Sequence, residues 1–79
     1  MSYQMNKALL RSGSVLDIST VVRTLYHRSK IKELPILERK LFDTALHLLI
    51  EEVASSMSKD KESVEKLIFS KMESSDKKQ

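Results

Sequence analysis

Cysteine and tryptophan are absent from this 79-residue chain, and it holds one glycine, one proline, two tyrosines and two phenylalanines. Without a thiol there is no disulfide and no thiolate metal site, which fits a reducing, cytoplasmic compartment. With only Gly13 and Pro35 as chain breakers, there is little material for hairpins or for a glycine-rich loop that cradles phosphate, so the fold class is expected to be all-helical. No apolar run approaches the roughly 18 residues of a membrane span, and Met1-Ser2-Tyr3-Gln4 is not the basic start of a leader. No membrane partner is expected. A chain this small buries only about 60% of the surface its unfolded form exposes, so its core must be efficient or shared.

What is present is amphipathic. From Pro35 to Ala54 the side chains of Leu37, Leu41, Phe42, Ala45, Leu46, Leu48, Leu49 and Val53 fill about half the circumference of a helix, wider than a one-sided stripe. Such a helix is buried on two sides, by its own chain or by a second one. Proline is tolerated at a helix start, which places Pro35 in the first turn. Ser14 followed by Asp17 forms a capping-box variant ahead of a second helix running to about Ser29, with Val15, Ile18, Val21, Val22, Leu25 and Tyr26 on one face. A short helix over residues 3–11 and a last one from Asp60 to Met72 complete the set, with a break at Ser55-Ser56. The architecture expected is a compact three-to-four-helix bundle around a long central helix, one domain over residues 1–72. Residues 73–79 carry no apolar anchor and are expected to form a disordered tail.

The formal net charge of +3 is unevenly spread. Residues 1–34 hold six basic side chains against two acidic ones, and the remainder holds eight against nine. The positive field belongs to the first half, where a partner with an acidic surface is expected to dock. The candidate contact is the stripe Arg23, His27 and Lys30, flanked by Arg28 and Lys32. Glu52 is a further candidate, since it projects into the apolar arc of the long helix, where it is either solvated at the rim or kept for a partner's cation.

Catalytic chemistry has no constellation to work with. His27 and His47 lie on polar helix faces, where a solvated imidazole is the plain reading. The spacings Asp43/His47 and His47/Glu51 suit weak surface pairs better than metal ligation. Glu51 and Glu52 point about 100° apart and make no acid–base dyad. No enzyme activity, cofactor or metal is expected.

The segment Phe42-Asp43-Thr44-Ala45-Leu46-His47-Leu48-Leu49-Ile50-Glu51 resembles the aromatic-x-x-Ala-x-His signature of the Hha/YmoA family of small nucleoid-associated modulators, with a glutamate one turn later. Tyr3-Gln4-Met5, Leu16-Asp17 and Ser63-Val64-Glu65-Lys66-Leu67-Ile68 extend it. Leu46, Leu48 and Glu65 depart from the family pattern. The resemblance implies a protein that docks on a larger DNA-organising protein and alters repression, reaching nucleic acid indirectly. Three functions follow from the whole reading: a non-enzymatic regulator that binds a transcription or nucleoid protein through a basic helix face, a direct DNA-binding regulator, or a helical homodimer in an adaptor or assembly role, including one of phage or plasmid origin. The third would associate through the long central helix.

Overall fold

The computed structural model describes residues 2–77 and contains four α-helices: α1 (Tyr3–Arg11), α2 (Val15–Ile31), α3 (Ile36–Met57) and α4 (Lys61–Lys77). Each begins where the local chemistry allows. The Ser2 hydroxyl accepts from the Met5 amide at 3.2 Å, and the Ser14 hydroxyl lies 3.5 Å from the Asp17 amide. Ser12 bridges the two helices by donating its hydroxyl to Asp17 Oδ2 at 2.7 Å, while Gly13 supplies the left-handed φ of 74° that the tight α1–α2 connection needs. Pro35 is the N-cap of α3 and stands just outside its first turn; it offers no side-chain acceptor, and Glu38 supplies the negative charge that the helix start favours.

The α2–α3 pair is the main interface, and both helices also touch α1 and α4. On α2, Val21, Val22 and Leu25 are almost wholly enclosed, with Ile18 and Tyr26 beside them. Against them pack Phe42, Ala45 and Leu49 of α3, Leu34 of the connection and Met72 of α4. A second apolar cluster, Ile50, Ala54 and Val64, joins the far end of α3 to α4.

The arc of α3 is largely covered within the chain. Phe42, Ala45 and Leu49 are buried and Leu41, Leu46 and Val53 half-buried, while Leu37 and Leu48 remain exposed. Ile50 and Glu38, outside the arc read from the sequence, are buried. So is Asn6, whose side-chain amide has no hydrogen-bond partner among the described residues.

Two helix ends differ from the sequence reading. Ser55 and Ser56 stay helical and exposed, and α3 stops at Ser58, which takes a left-handed conformation with φ 53° while Lys59 N–H donates back to the Ala54 carbonyl at 3.0 Å. Helix α4 continues past Met72 to Lys77, so the expected disordered tail begins inside a helix; residues 78–79 of that tail lie outside the described residues. Polar contacts described below hold this extension in place of the missing apolar anchor.

Candidate functional site

Helical geometry divides the five basic residues of the sequence reading into three groups. Arg23, His27 and Lys30 share one side of α2, since steps of four and three residues return to nearly the same direction. This side faces α4. Arg28 points away from it, toward α3, where its Nη2 lies 3.0 Å from Glu38 Oε2 in an ion pair without hydrogen-bond geometry. Lys32 is the C-cap of α2, in extended backbone at the α2–α3 corner.

Within the first group only Arg23 is free of an ion pair among the described residues. His27 Nδ1 stands 2.5 Å from Asp76 Oδ1, and Lys30 Nζ 3.0 Å from Glu73 Oε1. The Tyr26 hydroxyl donates to the same Glu73 oxygen, and Lys30 Nζ lies over the Tyr26 ring, 4.9 Å from its centroid. Burial pushes the Tyr26 hydroxyl above its usual pKa, with the Glu73 carboxylate adding to the shift. The hydrogen bond to Glu73 raises Lys30 and favours its charged form. His27 is therefore half-buried and partnered, where the sequence reading made it a solvated imidazole.

Beside this cluster runs a groove of about 270 Å³ between α2, α3 and α4. Val22, Leu49, Ile68 and Met72 supply its apolar lining; Arg23 of α2 and Lys71 of α4 supply cations. Both cations are exposed, and neither has an ion-pair partner among the described residues. Lys71 was not among the residues singled out from the sequence. No local pattern marks it, because it reaches the groove only through the docking of α4. A larger hollow of about 400 Å³ at the α2–α3 corner is lined by Arg28, Ile31, Lys32, Glu33, Leu34 and Pro35. Its charge is mixed: Arg28 is engaged by Glu38, and Glu33 sits next to Lys32, whereas the groove beside Arg23 has cations and no acidic side chain in its lining.

Glu52 is exposed on α3 and makes no ion pair among the described residues. His47 Nε2 meets Glu51 Oε1 at 2.9 Å, and Lys61 Nζ reaches the same oxygen at 3.2 Å, holding Glu51 below the usual carboxylate range. Among the described residues no group of three or more His, Asp or Glu side chains is arranged to hold a metal ion, and none of the described helices is long and apolar enough to cross a membrane.

Comparison with known families overturns the resemblance to the Hha/YmoA proteins. Phe42 and Ala45 are buried and His47 is exposed, so their spacing records how a bundle helix packs, which unrelated bundles share. No curated protein and no solved structure matches the chain. Residues 1–69, most of the sequence, match the family described as CarD, C-terminal domain, and the chain belongs to that family.

Proposed function

We propose that this chain is a non-enzymatic protein-interaction module of a transcription regulator, and that it binds a partner with an acidic surface along the α2 side that carries Arg23, His27 and Lys30. Membership of a transcription-associated family supports the regulatory part of this reading. The observation that carries the docking part is the groove beside that stripe, apolar inside and edged by Arg23 and Lys71 from two different helices. Apolar contact supplies affinity, and the unpaired cations steer and select an acidic partner. Arg28 is left out of the contact because Glu38 engages it.

A second reading, direct contact with duplex DNA, is favoured by the exposed cations Arg11, Arg39 and Lys40, which make no ion pair among the described residues. Phosphates attract such charges through counterion release without reading sequence. One experiment separates the two. The Arg23→Glu, Lys71→Glu variant is compared with wild type in affinity capture from native extract, with proteins and nucleic acid identified separately. Loss of one specific acidic protein in the variant supports the protein-docking reading. Retention of that protein with unchanged yield overturns it, and salt-sensitive capture of DNA alone transfers the function to the second reading.

A further inference from the structure

We propose that the last turn of α4 is a built-in acidic cover that occupies two of the three members of the α2 basic stripe, His27 and Lys30, and must be displaced by the acidic polypeptide that the stripe binds. Glu73 and Asp76 are three residues apart on α4 and share a face; His27 and Lys30 are three residues apart on α2 and share a face. They meet as an antiparallel ladder, Lys30 with Glu73 at 3.0 Å and His27 with Asp76 at 2.5 Å. The chain's own carboxylates thus already sit where the acidic side chains of a partner would sit.

The way this turn is held suits a cover that opens. Phe69 packs edge-on against Tyr26, with ring centroids 5.9 Å apart, and Met72 is buried in the core. Met72 is the last apolar anchor. Beyond it, Glu73-Ser74-Ser75-Asp76 is attached to α2 by the hydroxyl of the buried Tyr26 and by two ion pairs whose side chains are partly exposed. Partly exposed pairs contribute little individually, and the end of a helix opens more readily than its middle. The turn also lies past residues 1–69, the part matched to the family. Arg23 and Lys71 stay uncovered beside it, and an arriving acidic segment has cations to engage before the turn is released.

This inference rests on the reading of α2 as the docking face. The test measures binding of a labelled polyglutamate of about 20 residues by fluorescence anisotropy, with a duplex DNA as the other polyanion. Removing the cover with Glu73→Gln and Asp76→Asn is expected to tighten polyglutamate binding by about fivefold or more, because two competing ion pairs are lost. A control with the same change in net charge, Asp43→Asn and Glu65→Gln, is expected to stay near wild type. Equal affinity of wild type and the cover variant overturns the cover and leaves the docking face standing, as does an equal gain in the control. Absence of polyglutamate binding in every chain overturns the docking face and the cover together. A gain confined to DNA overturns the acidic polypeptide as occupant. Amide hydrogen exchange on the wild type decides the matter even if the variant folds poorly: Ser74, Ser75 and Asp76 are expected to exchange faster when polyglutamate saturates the protein, and unchanged exchange overturns the cover.

Discussion

Arg28 of α2 and Glu38 of α3 clamp the corner between the two helices: Nη2 lies 3.0 Å from Oε2, with the carboxylate largely buried and the guanidinium partly exposed. A carboxylate in that position depends on its cation, because an ionised group left alone in a partly buried site keeps its desolvation cost and loses the offsetting attraction. Arg28→Ala is accordingly expected to lower the free energy of unfolding by about 1–3 kcal/mol, below the full penalty for a deeply buried pair. Arg28→Glu should cost more, since it sets two carboxylates against each other. Urea denaturation measures both; an Arg28→Ala protein as stable as wild type would show that the pair holds nothing. Reversing Arg28 is therefore a poor probe of binding, whereas Arg23 and Lys71 can be reversed with little change in folding.

Ser58 closes α3 in a left-handed conformation, φ 53° and ψ 45°, where a side chain crowds the backbone and glycine does not. Ser58→Gly is expected to stabilise the protein by about 1 kcal/mol, the steric relief exceeding the extra chain entropy of glycine. The thermal midpoint should rise by several degrees in a domain of this size. A fall in midpoint would mean that the left-handed cap is not kept in solution.

Asp60 starts α4 by accepting from Ser63, its backbone amide at 2.9 Å and its hydroxyl at 2.8 Å, and the amide contact is the main reason its carboxyl is held below the usual range. Because its pKa is lower folded than unfolded, the stabilisation is fully present above the unfolded value of about 3.9 and is lost as pH falls through the lower folded value. Wild type should thus lose more stability than Asp60→Asn between about pH 5 and about pH 2, since asparagine caps without titrating. Paired thermal melts across that range test it. Parallel curves for the two proteins would remove Asp60 from the acid transition.

Much of the helical plan was legible in the chain. The Ser14 cap, the face of α2 formed by Ile18, Val21, Val22, Leu25 and Tyr26, and the start of α3 after Pro35 all follow from periods and caps within a few residues. Boundaries depart from the local pattern where two local signals compete. Ser55 and Ser56 suggested a break, yet exposed serines fit a helix, and the stop came from the backbone of Ser58. The candidate site was legible only in part: Arg23, His27 and Lys30 form the stripe that spacing implies, but their state depends on Glu73 and Asp76, more than forty residues on.

By itself the sequence determined the helical class, the amphipathic faces, the absence of thiol chemistry and the excess of positive charge in the first half, because each is a property of composition or of neighbours along one helix. Only the tertiary structure decided which cations are available. It turned Arg28 toward Glu38, placed Asp76 on His27, brought Lys71 to the groove beside Arg23, and extended α4 through a segment with no apolar residue. The physical reason is that an ion pair between two helices depends on where their axes cross and on the rotation of each about its own axis. Those quantities are set by the packing of Leu25, Ala45 and Val64 and of the rest of the core, and no local pattern of charges encodes them.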